Sequence, residues 1–471
     1  MATPERVADG RGGDSPVGLV RALGAWDGAL ITIGAVVGTG IFLTTSDMAR
    51  ALPHPGLILL VWLVGGLLAL AGALTYAELG VLFPRAGGIY DFLKEAYGPL
   101  WGFLYGWASF FVIMSGGIAA LSVGFGEYLG SFFPFLSTGH VLVSAPVGPW
   151  RWTLNGGQLA GVGAILVLTV INQLGVKEGA WVQNGLTLLK VAGIALFLVA
   201  GLVSSVPPSP VIGGALPPHA LTGFGVAMIA ALWTYDGWYG VTFSAGEMRD
   251  PGRNLPRGII AGTAAVGALY ILVNVVYLRA LGLEGLAATT TPAADAARRM
   301  FGPLGDRFVT AAIAISTFGF LDLAILAPTR VYYAMAADGS FFPALAQLHP
   351  RFRTPGVAIA VQTAWSCILT LSGTYGQLLN YVVFADWIFF GLTVSTVVVF
   401  RRTFPLARRG PGFLAPGHPI LPVLFVLTAA AIVLSVILAD PRSASRGALL
   451  IAAGVPIFYL FRRTARLRQS S

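Results

Sequence analysis

Long apolar stretches separated by short polar turns run through the chain from about residue 24 to residue 461. A helix needs roughly 20 apolar residues to cross a bilayer, and twelve stretches approach this length. They lie at about 24–45, 56–82, 101–131, 155–173, 181–204, 220–245, 256–282, 306–336, 355–373, 377–400, 417–438 and 443–461. The pattern predicts an all-α integral membrane protein with twelve transmembrane helices.

Composition supports the membrane assignment and excludes a soluble domain. Of the 471 residues, 56% are hydrophobic and 10% are charged, and the mean hydropathy is +0.78. A soluble domain carries about 25% charged residues, so this chain has too few to cover a surface that faces water. The first 22 residues are polar and contain no continuous apolar segment, so we expect no cleavable signal peptide.

The distribution of lysine and arginine predicts the orientation, because these residues are retained on the cytoplasmic side. With the N-terminus inside, 20 of the 29 basic residues lie in or beside inner segments, 8 beside outer segments, and Lys190 lies within a span. We therefore expect a multi-pass protein of the cell membrane, with cytoplasmic tails at 1–22 and 462–471. The net charge of +9 fits basic loops that face anionic lipid. Nucleic-acid binding is not expected, because the basic residues form no single patch.

Cys367 is the only cysteine of the chain. It excludes a disulfide within the chain and a CxxC metal or redox site. The outer loop at 132–154 has no thiol, so no disulfide-linked accessory subunit is expected, and the protein is a monomer or a homo-oligomer. We expect no metal and no cofactor.

The first span contains glycines that favour a break in the helix. Gly34 is followed by Gly38, Thr39 and Gly40, and each glycine weakens a helix by about 1 kcal/mol relative to alanine. Non-helical backbone at membrane depth is tolerated where it lines a protein-enclosed cavity, and the N–H groups of Thr39 and Gly40 would then suit a carboxylate. The alternative is close helix packing through the small residues Gly34 and Gly38.

The sixth span favours the break over simple packing. It places Asp236 and Gly237 in the middle of an apolar segment, and a buried acid in a membrane usually faces a cavity. The two interruptions are separated by five spans, which is typical of inverted-repeat transporters. Because five is odd, the second half enters the membrane from the opposite side. The prediction is a first repeat at 23–204, an inverted repeat at 219–400, and two further helices at 417–461.

Several motifs occur in order at matching spacing, from about residue 23 to residue 463. They are GTGIF at 38–42, GALTYAELG at 72–80, PRAGGIY at 84–90, Trp238, GEM at 246–248, Pro251 and NLP at 254–256. With them the chain resembles the amino acid–polyamine–organocation superfamily, and within it the L-type amino acid transporter group. The resemblance implies a LeuT-like fold of ten core helices plus two, with a substrate site between broken helices 1 and 6.

Carried over to this sequence, the resemblance implies a site built largely from backbone. The substrate carboxylate would meet the N–H groups of Thr39 and Gly40, and the ammonium would meet carbonyls of Val36, Trp233 and Asp236. Trp233 would also be the aromatic gate over the substrate. The complete set of substrate-binding candidates is Val36, Gly38, Thr39, Gly40, Trp233, Tyr235, Asp236 and Gly237.

Lys190 lies several residues into the otherwise apolar fifth span. One interpretation is that its long stem carries the amine to the membrane interface. The resemblance implies the other, a tethered cation in the place where sodium-coupled relatives hold an ion. It would bridge helix 1 and a hydroxyl of helix 8, Ser316 or Thr317. Such an arrangement would make transport independent of sodium.

Two further acids lie within spans, Asp322 in the eighth and Asp386 in the tenth. Each would pair with Lys190, face the substrate or cap a local backbone break. With Lys190, Ser316 and Thr317 they complete the candidates for coupling and gating.

The chain lacks the motifs of competing functional classes: HExxH, GxSG and GxxxxGK are all absent. Rings of carboxylates typical of channels are not evident either. The sequence therefore predicts a secondary amino acid transporter, not an enzyme, working by alternating access as a sodium-independent exchanger or a proton-coupled permease. The alternative is a polyamine or organocation transporter of the same fold, in which the buried acids hold the amines.

Overall fold

The computed structural model describes residues 23–469 apart from 85–86, 148–149, 175–176, 205, 327, 338, 350–353 and 405–411. The described chain is mostly helical. Its helices are α1 (Ala25–Val36), α2 (Gly40–Ala51), α3 (Pro55–Leu82), α4 (Ile89–Tyr97), α5 (Pro99–Ala108), α6 (Met114–Gly130), α7 (Gly156–Leu174), α8 (Lys177–Val203), α9 (Ala220–Thr234), α10 (Pro251–Ala288), α11 (Pro292–Leu326), α12 (Thr329–Ala337), α13 (Gly356–Ser372), α14 (Tyr375–Thr403), α15 (Ile420–Ala439) and α16 (Pro441–Gln469).

Shorter elements connect these helices. A π-helical turn at Ser109–Ile113 joins α5 to α6, and 3-10 segments lie at Pro134–Leu136, Gly240–Glu247 and Pro343–Ala346. Strands β1 (Val141–Val147) and β2 (Trp150–Asn155) form an antiparallel hairpin between α6 and α7. The indole of Trp152 donates to the Leu371 carbonyl at 2.8 Å, which fastens the hairpin to the end of α13. The hydropathy pattern did not predict this hairpin.

Within the described residues, eight helical segments are long and apolar enough to cross a membrane, and the bent pair α1 and α2 raises the number to nine. They include α3, the continuous segment from α5 to α6, and α14. Their outward-facing side chains are apolar, as in Leu67, Val170 and Leu427, each more than half exposed. A soluble protein does not present such surfaces on this scale. The prediction of a multi-pass helical membrane protein is confirmed.

Glycines set the ends of two long helices. Gly282 in α10 has φ 68° and Gly302 in α11 has φ 72°, a region of backbone conformation that favours glycine. Each glycine bends its helix, so the segment between them departs from the axes of α10 and α11. Arg50 at the end of α2 donates to the carbonyls of Ala287 and Thr289 in this connection, at 2.9 and 3.1 Å.

The broken pair α1 and α2 lies at the centre of the packing. Helix α1 packs along α10, α2 packs against α9, and α3 packs against both α9 and α10. The interior between them is rich in aromatic side chains. Trp62 of α3, for example, makes edge contacts with Tyr235 and Tyr270, with ring centroids 5.7 and 5.5 Å apart. The core therefore surrounds the region in which the helices are interrupted.

A buried ion pair fastens the other end of the bundle. Arg401 of α14 donates to both oxygens of Glu78 on α3, at 2.9 and 2.6 Å. The Glu78 side chain is 2% exposed and also accepts the Ala415 N–H at 2.9 Å. The pair thus joins α3, α14 and the segment before α15.

Replacing Glu78 with alanine is expected to destabilise the fold by about 3 kcal/mol, because it leaves the largely buried Arg401, 19% exposed, without its carboxylate. Thermal unfolding of the purified protein in detergent measures this as a lower midpoint. The matched control is Asp47→Asn, since Asp47 forms an exposed ion pair with Arg50 and such pairs contribute less than about 1 kcal/mol. Equal midpoints for the two variants would contradict the assignment.

Candidate functional site

Two helices are interrupted where the sequence predicts. Helix α1 ends at Val36, α2 begins at Gly40, and the two axes differ by 47°. Helix α9 ends at Thr234, and a turn at 235–239 leads into the 3-10 segment Gly240–Glu247. Within that turn Gly237 has φ 100°. The two interruptions supply non-helical backbone in the middle of the bundle.

The interruptions are in direct contact through their glycines. A Cβ on Gly237 would lie 2.3 Å from the Ala35 carbonyl oxygen, and a Cβ on Gly40 would lie 2.9 Å from the Thr234 Cα. The hydroxyls of Thr44 and Thr234 are hydrogen-bonded at 2.9 Å across the same interface. Only glycine, which has no Cβ, allows the two backbone segments to approach this closely.

Peptide groups remain available at both interruptions. The N–H groups of Thr39 and Gly40 donate to no backbone carbonyl of the residues that the structure describes. They lie at the N-terminus of α2, where the helix dipole favours an anion. On the opposite side, the Asp236 carbonyl accepts no backbone N–H from the described residues. Backbone N–H donors are thus available at the first helix interruption, and a carbonyl acceptor is available at the second.

Two of the predicted ammonium acceptors already have donors. The Val36 carbonyl accepts the Gly38 N–H at 2.8 Å and the Tyr270 hydroxyl at 2.9 Å. The Trp233 carbonyl accepts the Asp236 N–H at 3.1 Å. An ammonium that binds these carbonyls would share them or displace a donor, whereas the Asp236 carbonyl is available without rearrangement.

Lys190 of α8 reaches the interruption of helix α1. Its side chain is 6% exposed, and Nζ donates to the Val37 carbonyl at 2.5 Å. The amine also lies 4.9 Å from the centroid of the Phe320 ring. This arrangement is not that of a side chain reaching for the membrane interface, because the amine is directed into the bundle. The predicted contact with helix 1 is therefore present.

The predicted second contact of Lys190 is not formed. Neither Ser316 nor Thr317 is hydrogen-bonded to the amine, although both are buried on α11. Ser316 lines a groove of about 510 Å³ together with Lys190 and Phe42, between α2, α8, α10 and α11. Thr317 Oγ1 is buried without a hydrogen-bond partner among the described residues. Only Ser316 therefore shares a groove with the lysine.

Comparison with known proteins identifies the family. The amino acid permease family matches residues 23–461. The serine/threonine exchanger SteT of Bacillus subtilis is 31% identical over 449 residues, covering 94% of this chain and 97% of that protein. The chain belongs to the amino acid permease family.

Two human proteins are similar over comparable lengths. The b(0,+)-type amino acid transporter 1 is 30% identical, covering 94% of this chain and 88% of the human protein. The cystine/glutamate transporter is 29% identical, covering 95% of this chain and 87% of the human protein. The resemblance drawn from the sequence motifs is confirmed, and the permease belongs with transporters and not with enzymes.

Three predicted site residues of the permease have specific partners. Asp322 accepts the Asn172 amide at 2.8 Å, so it faces α7 and does not pair with Lys190. The Tyr235 side chain is 1% exposed and donates to the Trp62 carbonyl at 2.9 Å, so it packs into α3 and positions the break. The Trp233 indole donates to the Tyr375 hydroxyl at 3.0 Å, which ties the predicted gate to the start of α14.

The other two predicted acids interact electrostatically. Asp386 is 3% exposed and lies within electrostatic range of Asp236. Asp236 Oδ1 has no hydrogen-bond partner among the described residues. The structure therefore brings these two predicted residues together and leaves Asp322 apart.

Sequence reasoning did not find Tyr270, which joins both interruptions. Its hydroxyl is bonded to the carbonyls of Val36, at 2.9 Å, and Thr234, at 3.2 Å. These carbonyls belong to the last residues of α1 and α9, which have no following helical turn to satisfy them. A signal was present in the sequence, since Tyr270 and Asn274 are polar residues one turn apart in an apolar span.

Replacing Tyr270 with phenylalanine is expected to slow substrate uptake by the permease by about tenfold. The change keeps the ring but removes a donor to two carbonyls. The Val36 carbonyl keeps the Gly38 N–H, whereas the Thr234 carbonyl loses the Tyr270 hydroxyl, and a buried acceptor left unpaired costs about 1–3 kcal/mol. Initial uptake rates in proteoliposomes measure the effect. The control is Tyr459→Phe, because Tyr459 is 56% exposed on α16. An unchanged rate for Tyr270→Phe would contradict the role.

Proposed function

We propose that this permease is a secondary amino acid transporter that binds the α-amino and α-carboxyl groups of its substrate between the two broken helices. The observation that carries the proposal is the contact between the interruptions at Gly40 and Gly237. Supporting it, the N–H groups of Thr39 and Gly40 at one interruption lack backbone acceptors, and the Asp236 carbonyl at the other lacks a backbone donor, among the described residues. This pattern is complementary to a zwitterion and does not specify a side chain.

The polarity of the site follows from the helix ends. The N-terminus of α2 carries the partial positive charge of its dipole, so the carboxylate belongs beside Thr39 and Gly40. The C-terminus of α9 carries partial negative charge, so the ammonium belongs beside the carbonyls that follow Trp233. The Tyr270 hydroxyl keeps the two ends in register. Each pole of the substrate thus meets the helix end of opposite sign.

We propose a topology of twelve spans, with repeats at 23–204 and 219–400, helices 11 and 12 at 417–461, and both termini in the cytoplasm of the cell. Three shorter apolar helices, Leu189–Val203, Ala220–Thr234 and Gly356–Ser372, fall in predicted spans 5, 6 and 9 and would extend the nine candidates to twelve. Five spans per repeat require the inversion. Alternating access is the movement that such inverted repeats support.

Transport without sodium is the expected coupling mode, because Lys190 already supplies a cation to the Val37 carbonyl. Exchange is favoured by the similarity to a serine/threonine exchanger. Proton-coupled uptake is the other mode consistent with this site. A polyamine substrate is the second candidate function, and the electrostatic interaction between Asp236 and the buried Asp386 is the observation that favours it.

Uptake of radiolabelled amino acids into proteoliposomes tests the proposal. We expect saturable uptake in sodium-free buffer, stimulated by an unlabelled amino acid inside the vesicles if the permease exchanges. Stimulation by an inward proton gradient, with empty vesicles, would assign proton coupling instead. A panel in which polyamines are taken up and every amino acid is excluded would contradict the proposed function.

A further inference from the structure

The groove between α2, α8, α10 and α11 has a charged residue in an otherwise apolar wall, and it is hereafter the lysine groove. Its volume is about 510 Å³, and apart from Lys190, Tyr277 and Ser316 the residues that line it are apolar side chains and Gly193. None of the predicted substrate-binding residues, all of which the structure describes, lines this groove. The lysine groove is therefore separate from the proposed zwitterion site.

The lysine groove opens on a side of the bundle that faces lipid. Leu189 on the α8 wall and Phe308 on the α11 wall are 52% and 62% exposed. Exposed apolar side chains of a membrane-spanning helix lie against acyl chains, which are as apolar as leucine. Between them the α8 wall is bare, because a Cβ on Gly193 would meet nothing within 4 Å. A lipid-soluble molecule can therefore enter the groove from the bilayer.

The charged and apolar ends of the lysine groove are well separated. Lys190 lies at the end next to the broken helix, where its amine donates to the Val37 carbonyl. Phe197 lies seven residues further along α8, a rise of about 10 Å, and its ring contacts Tyr277 with centroids 5.7 Å apart. The groove thus suits a molecule with one polar head and a long apolar tail.

The charge of Lys190 has no counter-ion among the residues that the structure describes. Its one hydrogen-bond acceptor there is the Val37 carbonyl, and the neighbouring ring of Phe320, 4.9 Å from the amine, is also uncharged. An ammonium has three N–H donors, and a buried cation is stabilised by an opposite charge. Ser316, 7% exposed in the same groove, adds a hydroxyl. The polar end is therefore complementary to an anion.

The depth of Lys190 selects a free fatty acid over a phospholipid. The lysine is level with the interruption at Val37, in the middle of the bundle, whereas a phospholipid headgroup remains at the bilayer surface. A fatty acid reaches this depth because its protonated form carries no charge through the hydrocarbon. Its carboxyl oxygens then accept hydrogen bonds from the ammonium, and burial of its methylene groups against the apolar walls is favourable.

We infer that the lysine groove binds a free fatty acid from the bilayer, with its carboxylate on Lys190 and Ser316, and that the bound acid slows transport. The carboxylate competes with the Val37 carbonyl for the ammonium, and the chain lies against Phe42 of the broken helix. Alternating access moves such helices relative to their neighbours, so an occupied groove opposes the movement. Binding is independent of the proposed function, and the effect on transport rests on it.

Photolabelling of the full-length protein tests the binding site without any measurement of transport. The probe is palmitic acid that carries a diazirine, in proteoliposomes of phosphatidylcholine, and the matched probe is the same chain ending in an alcohol. We expect the acid to label 189–197 and 308–316 at least about tenfold more than the alcohol does, as located by mass spectrometry. Lys190→Met is expected to remove this preference for the acid.

A glycine variant tests the groove without changing the lysine. Gly193→Leu fills the open space on the α8 wall and is expected to reduce labelling by the acid by about tenfold. The control is Gly163→Leu on α7, which is equally open and does not line the groove, and its labelling is expected to match the wild type. Because the acid and the alcohol are also compared on the wild-type protein, a variant that fails to fold does not remove the test.

Three labelling results would overturn the inference. They are equal labelling of the wild type by the acid and the alcohol, labelling confined to residues outside the groove, and displacement of the acid by another lipid. Displacement by phosphatidylglycerol or cholesterol, at the concentration at which unlabelled palmitate displaces the probe, would assign the groove to that membrane lipid.

Amino acid uptake tests the effect on transport. Palmitate is expected to slow initial uptake by about tenfold in the wild type and in Gly163→Leu, and to have little effect in Gly193→Leu. Equal inhibition of all three proteins would indicate a general effect on the bilayer and would overturn the inhibitory role, as would unchanged uptake by the wild type. Absence of uptake of any amino acid without palmitate would overturn the proposed function, and the labelling result would still decide whether the fatty acid binds.

Discussion

Gly237→Ala is expected to reduce amino acid uptake by at least about tenfold while the protein still inserts and purifies. At φ 100° a side chain is strained, and the new Cβ would lie 2.3 Å from the Ala35 carbonyl oxygen. Strain of this kind costs about 1–3 kcal/mol, and relief requires the two broken helices to separate. Initial uptake rates in proteoliposomes, divided by the amount of protein incorporated, measure the loss.

Two control glycines separate strain from contact. Gly302→Ala has the same unfavourable sign of φ, at 72°, but nothing lies within 4 Å of the position that its new methyl group would take. Gly163→Ala lies in a regular helix and is likewise open. We expect a large loss of uptake rate in Gly237→Ala, a small loss in Gly302→Ala and no loss in Gly163→Ala. Equal losses at Gly237 and Gly302 would show that the contact between the interruptions is unimportant.

Lys190→Met is expected to reduce uptake by about tenfold or more. Methionine has a similar unbranched shape but removes the donor to the Val37 carbonyl, and a hydrogen bond from a charged group contributes about 1.5–3 kcal/mol. The Val37 carbonyl is then buried without its cation, and the interruption loses its fixed geometry. Uptake in sodium-free buffer is the measurement, with Leu189→Met as the neighbouring control, because Leu189 is 52% exposed.

Sodium provides the second readout of Lys190. The wild-type rate is expected to be the same in sodium and in potassium buffer, since the role proposed for the lysine is that of a tethered cation in place of a bound ion. A wild-type protein that requires sodium, or a Lys190→Met variant that transports at the wild-type rate, would refute this role. The role does not depend on a partner on α11, because neither Ser316 nor Thr317 is bonded to the amine.

The sequence was sufficient to predict a multi-pass helical membrane protein and the two helix interruptions. Hydropathy depends only on composition along the chain, and glycine pairs such as Gly38 and Gly40 act locally on helix propensity. Both hydropathy and helix propensity can be evaluated from the sequence without knowing which helices are neighbours. The interruption after Thr234 and the bend before Gly40 accordingly lie where these residues predicted them.

Side-chain partners could not be read in the same way. Asp322 and Asp386 are similar in the sequence, each an acid within an apolar span, yet Asp322 is bonded to Asn172 and Asp386 interacts electrostatically with Asp236. The difference depends on how each helix is rotated about its axis, which hydropathy barely constrains in a helix that is apolar all round. The contact of Tyr235 with α3 likewise depends on how the helices are rotated about their axes, so the sequence did not predict it.

Long-range polar links were the least predictable part. Glu78 and Arg401 are 323 residues apart, and Tyr270 reaches carbonyls on two other helices. A tyrosine in an apolar span is equally consistent with packing, so only the folded arrangement reveals that its hydroxyl satisfies helix ends. The sequence therefore predicted the backbone of the site better than the groups that hold it.

Recognition of the zwitterion by the two interruptions is tested most directly by competition. Uptake of the best-transported amino acid is measured against three competitors with the same side chain: the amino acid itself, its decarboxylated amine and its deaminated acid. Binding at both poles predicts that the intact amino acid competes at least about a hundredfold better than either fragment, since each lost charge-assisted contact costs about 1.5–3 kcal/mol. Competition by the amine or the acid at the concentration of the intact amino acid would contradict the account.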